Sequence, residues 1–469
     1  MVTSTEPKQS GGQRRPSAPA SLPALRAGIL IPALLVSIPP VLFSTILFFK
    51  ALNLPDFDDY DAVLGFMNRF LALQSVSSRA SWFFSSQHCE YKLIFLHTVT
   101  LLQFYLSGHI DFRILCDIAG GVALLLAVPL WKMFLPGLDD VGLRISLFVP
   151  VSWLLFQFEY CEALDFVTPE MQHVAGLVFS LSALCLLVRP GRWSFLSALV
   201  CLLLAVSADG IGLVLIPIGL LALTVGRSYT RIAAWGIAAL ASIAVYAYGY
   251  NVTQSGTVVH RSIFAVALGF RPDYVLAFMG SAVSFPFHFR AGSVTLGALL
   301  CAFFAWMAWR GYWRRNPAVS YCVLFLFVTA IGVAGLRSDF GVANIPSRYT
   351  MYSAVLLALA WTALAEEFVV RRRTLLINNG LYLGAVAVTV LFSLGMDMIG
   401  AGLMNQRNEQ LIEAMTHFEH PTASDAKPSP APDAVVPEQL GWVPNAFNHH
   451  AREVLLESMR LGIYQPPHF

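Results

Sequence analysis

A polar stretch, residues 52–90, lies between two apolar runs and holds the residues best suited to chemistry. It opens with Leu54-Pro-Asp-Phe-Asp-Asp-Tyr-Asp61, which places four carboxylates within six residues: Asp56, Asp58, Asp59 and Asp61. Such carboxylates can hold a divalent cation through their oxygens, or one of them can act as a general base on a hydroxyl group. A solvated loop that carries charge for solubility is the alternative for this stretch taken alone.

The same stretch ends with Gln87-His-Cys-Glu-Tyr-Lys92, directly before the next apolar residues. Polar and ionisable side chains at a membrane boundary are costly unless they face a cavity or one another. Gln87, His88, Glu90 and Lys92 are therefore candidates for binding a substrate. The alternative is that Lys92 reaches along the interface to water while His88 has a structural partner.

Further acidic residues follow an apolar run at about 145–157, namely Glu159, Glu162, Asp165 and Glu170. Asp209 lies in Ser207-Ala-Asp-Gly-Ile-Gly212, between two apolar runs. It is either a turn residue or a carboxylate facing a cavity. We favour the turn because Asp-Gly is a strong turn dipeptide.

Two arginines, Arg337 and Arg348, lie in a polar segment between later apolar runs, and Tyr349 follows the second of them. Arginine is the side chain best suited to bidentate contacts with phosphate. Placed beside a membrane, the two guanidinium groups indicate a lipid phosphate or diphosphate. Pairing with Asp339 or with the acidic stretches is the alternative.

The elements that position these residues follow from composition. Of the 469 residues, 57% are hydrophobic and 12% are charged, whereas a soluble domain has about 25% charged residues. This excess requires lipid as the solvent and predicts an all-α integral membrane protein. After the run 27–49, further apolar runs lie at about 113–131, 145–157, 171–188, 194–208, 210–226, 232–250, 293–310, 319–336, 349–365 and 375–398.

The basic residues predict an orientation for these runs. Arginines concentrate in short loops that the positive-inside rule assigns to the cytoplasm, at positions 189 and 192, 227 and 231, 310, 314 and 315, and 371–373. The stretches 52–90, 159–170, 251–292 and 337–348 then lie outside. The segment Tyr91–Gly108 breaks the alternation, so we interpret it as re-entrant or lying along the surface, which leaves eleven spans.

Three regions are predicted along the chain. Residues 1–26 form a disordered cytoplasmic leader, and residues 27–399 form the transmembrane domain, with 52–90 as its first outer loop. Residues 400–469 form an outer tail, with a linker over Thr422–Pro437 and a short amphipathic helix over Ala451–Leu461. The net charge of +2 gives no indication of nucleic acid binding, and the chain has no GxxxxGK[ST] nucleotide motif.

The order of these motifs resembles the GT-C superfamily of polytopic membrane glycosyltransferases, which use polyprenyl-phosphate-linked sugars. More narrowly, it is similar to uncharacterised bacterial membrane proteins of polysaccharide gene clusters. Their motifs read D-[ED/x]-W/Y, then H-N-E-H-R, G-R-x-x-x-G and S-R-Y. The matching stretches in this chain are Asp58–Tyr60, Gln87–Lys92, Arg337–Gly341 and Ser347–Tyr349. In the second motif Cys89, Tyr91 and Lys92 replace Asn, His and Arg, and in the third Leu336 replaces Gly.

The resemblance covers about residues 28–400 and implies a GT-C-like bundle of about 11–12 transmembrane helices with an extended first outer loop. It implies inverting transfer of a sugar from a polyprenyl phosphate to a glycan or lipid acceptor. This would take place on the outer face of a bacterial inner membrane, in polysaccharide biosynthesis for the cell envelope.

The resemblance also implies roles for residues. Asp58 or Asp59 would be the general base, or would hold a divalent cation such as Mg²⁺ or Mn²⁺. Arg337, Arg348 and Lys92 would hold the leaving phosphate, and His88 and Glu90 would position the sugar. Asp61, Gln87, Glu159, Glu162 and Tyr349 complete the expected substrate-binding set.

Other functions use similar features. A transporter or lipid flippase would explain the spans and the arginines without catalysis, although such proteins often show internal repeats and broken helices near the midplane. A polysaccharide polymerase or ligase also uses arginines on a lipid diphosphate. A non-catalytic scaffold would explain the altered second motif.

Overall fold

The structure is a computed structural model that describes residues 22–164, 166–251, 270–284, 289–337, 345–371, 380–419 and 449–467. Within these ranges the chain is helical and has no β-strand; its only β-pairing consists of two isolated bridges, His88 with Tyr91 and Ile110 with Tyr464. The all-α membrane fold expected from the composition is confirmed.

The helices follow one another in this order: α1 Leu22–Lys50, α2 Phe66–Ala72, α3 Val76–Ser85, α4 Ile94–Ser107, α5 Phe112–Leu124, α6 Ala127–Met133, α7 Val141–Leu155, α8 Val167–Pro169, α9 Ala175–Leu187, α10 Arg192–Ala208, α11 Gly212–Val225, α12 Tyr229–Ala247, α13 Pro272–Met279, α14 Arg290–Trp309, α15 Tyr312–Arg315, α16 Pro317–Arg337, α17 Thr350–Ala365, α18 Gly380–Glu419 and α19 His449–Arg460. Three π-helical turns, Tyr60–Gly65, Glu170–Val174 and Glu366–Arg371, and three 3₁₀ turns, Phe158–Ala163, Ser281–Val283 and Ser347–Tyr349, interrupt or join them.

Eight helical segments of the described chain are long and apolar enough to cross a membrane. Four shorter apolar helices accompany them: α4, α7, α10 and α11. The eleven spans expected from the sequence stay a prediction.

The two ends of the bundle differ in chemistry. Arg231 donates to the carbonyl of Arg189, Arg189 donates to the carbonyl of Lys132, and Asn316 donates to the carbonyl of Met133. These contacts gather the arginine-rich loops at one end, which we call the basic end. The polar stretch 52–90 lies at the other, which we call the site end. Residues Glu170–Val174 lie at the site end too. They lead into α9, and α9 ends at Leu187, two residues before Arg189 of the basic end.

Helix α4 does not run between these ends. It begins after Lys92, whose ammonium contacts the carbonyl of Tyr248. It ends before Phe112, whose N–H donates to the side chain of Asn53. Both contacts lie at the site end, and 14 residues of helix extend only about 21 Å. The expectation that Tyr91–Gly108 does not span therefore agrees with the structure.

Two segments form the centre of the bundle, Val167–Leu187 and Ser347–Phe368, and most of their residues are buried within the protein. Both begin at the site end, one with the π turn Glu170–Val174 and the other with the 3₁₀ turn Ser347–Tyr349. Side chains on these turns are consequently held by the best-packed part of the molecule. The core is apolar, so polar side chains where it meets the site end must form hydrogen bonds or ion pairs there.

The described part of the tail 400–469 packs against the first loop. Helix α18 continues without a break through the boundary expected at residue 400, to Glu419. Asn68 donates to the carbonyl of Val454 on α19 (3.0 Å), and the hydroxyl of Tyr464 donates to the carbonyl of Asn53 (2.7 Å). The expected linker Thr422–Pro437 and most of the leader 1–26 lie outside the described residues.

Candidate functional site

An ion pair between Asp58 and His88 joins the two motifs of the first loop. Nε2 of His88 lies 3.1 Å from Oδ1 of Asp58, and half of the Asp58 side chain is exposed. The residues beside them, Phe57 and Cys89, have φ of 38° and 48°. Non-glycine residues in this left-handed region are strained and cluster at functional sites.

The pair is charged over a wide pH range. Burial opposes ionisation of Asp58, but the hydrogen bond and charge of His88, with the charges of Arg348 and His173, lower its pKa below 3.8. Burial also opposes protonation of His88, but Asp58, with a smaller contribution from Cys89, raises the pKa of His88 to about 10. A carboxylate that stays ionised at neutral pH is therefore held at the edge of the bundle.

Asp59, the other candidate base, is in a different environment. It is fully buried, and its carboxylate accepts from the N–H of Thr168 (2.9 Å), the hydroxyl of Thr168 (2.6 Å) and the N–H of Val167 (3.3 Å). These donors open helix α8, so Asp59 caps that helix. Burial raises the pKa of Asp59 to about 7 although the hydrogen bonds from Thr168 and Val167 lower it. The structure thus separates the two candidates and leaves Asp58 as the accessible one.

The remaining carboxylates of the motif fasten other segments to the loop. Asp56 forms a buried ion pair with Arg407 of α18. Oδ1 of Asp61 lies 2.6 Å from Nε2 of His450 on α19, and both side chains are partly exposed. The four carboxylates of the acidic motif therefore each contact a different partner and do not form one cluster.

The second motif shapes the loop through its polar side chains. The amide of Gln87 donates to the carbonyl of Asn251 (3.1 Å) and accepts from its N–H (2.9 Å). The carbonyl of Glu90 accepts from the hydroxyls of Tyr246 and Tyr250. These contacts fix the motif against the end of α12.

The ammonium of Lys92 is fully buried and donates to three carbonyls. They belong to Phe84 (3.2 Å), Ser85 (2.7 Å) and Tyr248 (2.9 Å). All three donors of an ammonium are thereby used. In this arrangement Lys92 joins α3 to α12 and does not present its charge to a phosphate.

The acidic stretch after α7 supports the arginine motif. Oε2 of Glu162 accepts from the N–H of Ser347 (2.9 Å), and the hydroxyl of Ser347 accepts from the N–H of Glu162 (3.3 Å). Arg348 follows, with its guanidinium 5.5 Å from the centre of the Tyr349 ring. Glu162 is thus placed to position Arg348 through Ser347.

Glu159 lies deeper than Glu162. It is fully buried and accepts from the side-chain amide of Gln157 (3.1 Å). Burial raises the pKa of Glu159 well above its ordinary value. Arg337 is the last residue of α16, and its side chain lies outside the described part of the chain. Asp165 and residues 338–344 of the third motif also lie outside it.

Sequence reasoning missed a second pair at the site. Nδ1 of His173 lies 2.7 Å from Oδ2 of Asp209, and both side chains are buried. Asp209 does lie at the turn between α10 and α11, as expected, but its carboxylate points inward. The signal for His173 was an ionisable side chain inside an apolar run, which is a functional-site hypothesis by default.

The donor set does not fit a divalent cation. Among the described residues, no three His, Cys, Asp or Glu side chains are grouped as metal ligands. Asp58 is paired with His88, and Asp59 is occupied by Thr168 and Val167. We therefore derive no step through a metal.

Comparison with known proteins gives no family for this chain. No protein-family model matches it, and no curated protein matches it. The site is consequently interpreted from its own geometry.

Proposed function

We propose that this chain is a GT-C-type membrane glycosyltransferase that moves a sugar from a polyprenyl-phosphate donor to a glycan or lipid acceptor. The observation that carries the proposal is the ion pair between Asp58 and His88 at one end of an apolar helical bundle, where Arg348 is close enough for its charge to act on Asp58. A carboxylate suited to a hydroxyl group and a guanidinium suited to a phosphate are close enough for their charges to interact, at the end of the bundle where lipid would give way to water.

The chemistry assigns each group a task. The acceptor oxygen forms a bond to C1 of the sugar and gives its proton to Asp58. The bond between C1 and the donor's phosphate oxygen breaks, and its electron pair stays on that oxygen. Arg348 stabilises the polyprenyl phosphate that leaves. His88 holds Asp58 in place for this step.

The sidedness of the molecule supports an extracytoplasmic reaction. Arginine-rich loops gather at the basic end, which the positive-inside rule assigns to the cytoplasm. The candidate site lies at the other end, and in a bacterial inner membrane this end would face the periplasm. A sugar carried on a membrane-bound lipid is a donor suited to that compartment.

A transporter or flippase is the alternative from another class. Its substrate site is expected near the middle of the membrane, between repeated halves. Here the Asp58–His88 pair and Arg348 lie at one end of the bundle, which favours the enzyme.

The proposal is tested with purified protein in nanodiscs and a panel of polyprenyl-phosphate sugars. Release of polyprenyl phosphate is followed by mass spectrometry for the wild type, Asp58→Asn and Arg348→Ala. The matched controls are Asp139→Asn, near the basic end, and Arg460→Ala, an exposed residue of α19. Release that requires Asp58 and Arg348 but not the controls supports the transferase. If the folded wild type leaves every donor intact but moves lipid-linked sugar across the bilayer of proteoliposomes, the transporter is correct.

A further inference from the structure

His173 and Asp209 form a second ionisable pair that the roles above do not use. The exposed fractions of their side chains are 8% and 1%, and the second oxygen of Asp209 accepts from the N–H of Ile211 (3.3 Å). A Cβ at Gly176 would lie 3.0 Å from Cβ of Asp209. The helix therefore needs glycine there for Asp209 to approach, and the pair is fixed by its surroundings on both sides.

The pair adjoins the candidate site. The His173 ring lies 5.5 Å from the ring of Tyr349 and 6.3 Å from that of Tyr91, measured between centroids. His173 also lies close enough to Asp58 for its charge to act on that carboxylate, as does Arg348. The titratable and charged groups around the pair are Asp58 and Tyr91 of the first loop, Glu170 on the same π turn, Tyr246 of α12, Arg348 and Tyr349 before α17, and Tyr352 within it.

The hydrogen bond decides which nitrogen can meet a ligand. Because Asp209 accepts from Nδ1, Nε2 is the other ring nitrogen, and in the imidazolium form it is a donor. A buried histidine held by a carboxylate, with its ring 5.5 Å from that of Tyr349, the residue after Arg348, is suited to donate from Nε2 to an oxyanion that gains charge.

We propose that His173, held by Asp209, binds the phosphate that leaves the sugar. This inference rests on the proposed function. In that reaction the donor is a phosphodiester with one negative charge, and the leaving lipid is a phosphate monoester with up to two. Arg348 and His173 would then both donate to the phosphate oxygens as their negative charge increases.

The test measures binding, so it does not depend on turnover. Wild type, His173→Gln and Asp209→Asn are placed in nanodiscs and titrated with a long-chain polyprenyl phosphate and with the corresponding polyprenol. His109→Gln, an exposed histidine away from the pair, is the matched control. We expect His173→Gln to lose about 10- to 100-fold in affinity for the phosphate, the range for a charge-assisted hydrogen bond. Affinity for the polyprenol should not change.

The pH dependence separates this role from a structural one. The advantage of wild type over His173→Gln should be larger at about pH 6 than at about pH 8, since the imidazolium is the binding form. Asp209→Asn should reduce the same advantage while the protein stays folded. Equal losses for phosphate and polyprenol would show a structural role and overturn the inference.

The inference and the proposed function can fail separately. If wild type releases polyprenyl phosphate while His173→Gln binds it normally, only the inference is wrong. Unchanged binding together with lost turnover at every pH would assign His173 to the acceptor's proton and also overturn the inference. If wild type releases nothing from any donor, the proposed function is wrong, whatever the binding result.

Discussion

The carboxylate of Glu162 accepts a hydrogen bond from the N–H of Ser347 at 2.9 Å, and the hydroxyl of Ser347 accepts one from the N–H of Glu162 at 3.3 Å. The two residues are far apart in sequence, and each accepts a hydrogen bond from the backbone N–H of the other. Because Arg348 follows Ser347 directly, this contact holds the backbone that carries the guanidinium.

Glu162→Ala should therefore impair the reaction without removing any group that touches the substrate. We expect turnover to fall about 10-fold, since displacing Arg348 weakens a charge-assisted contact to phosphate. Release of polyprenyl phosphate by mass spectrometry gives the rate. Glu413→Gln, an exposed glutamate of α18, is the control. A fall of equal size in both variants would argue against the positioning role.

Lys92 is expected to act on stability. Lys92→Met leaves the carbonyls of Phe84, Ser85 and Tyr248 without their donor. At about 1 kcal/mol for each hydrogen bond, the loss should be about 3 kcal/mol. Chemical unfolding in detergent measures this, with the exposed Lys132→Met as control. If Lys92→Met is as stable as the control but fails to bind polyprenyl phosphate, the phosphate role expected from the family resemblance is correct.

The ion pair between Asp56 and Arg407 should be costly to break because both side chains are almost fully buried. Removing one partner from a buried pair costs about 3–5 kcal/mol, since it leaves the other charge uncompensated. Asp56→Asn and Arg407→Met should each show this loss, and the double variant should lose less than the sum. A double-mutant cycle on unfolding free energies tests it. The exposed pair Glu457–Arg460 provides the comparison, with a coupling under about 1 kcal/mol.

The Asp58–His88 pair gives a pH dependence with a definite sign. The pKa of His88 is raised from 6.5 to about 10, so its stabilisation is complete below pH 6.5 and is lost as pH rises through about 10. The lowered pKa of Asp58 means that its contribution is lost only below pH 3.8. The difference in thermal unfolding midpoint between wild type and His88→Gln should shrink from about pH 7 to about pH 10. A constant difference over that range would show that the pair is not formed.

Local sequence patterns predicted the fold because apolar runs of the right length specify membrane helices almost by themselves. They also indicated that Tyr91–Gly108 does not cross, because a span there would break the alternation of the basic loops. The boundary at 400 was a weaker inference, because polarity after Asp397 indicates exit from lipid but does not end a helix.

The site was only partly predictable. The sequence placed Asp58, His88 and Arg348 among the candidates, and the structure brings these three together. It could not distinguish Asp58 from Asp59, because that difference depends on Thr168, a residue more than a hundred positions away. Nor could it show that Lys92 is enclosed by carbonyls or that His173 meets Asp209, since both depend on how helices pack.

The most direct test of the account is the initial rate of polyprenyl phosphate release by wild type, Asp58→Asn and Asp59→Asn under saturating donor. We expect release by wild type and a loss of about 100-fold or more in Asp58→Asn, the scale of a general base. Asp59→Asn should lower the free energy of unfolding and change the rate little, because Asp59 caps α8. An amide oxygen can still accept some of the hydrogen bonds from Thr168 and Val167. Release by Asp58→Asn at the wild-type rate would contradict the account.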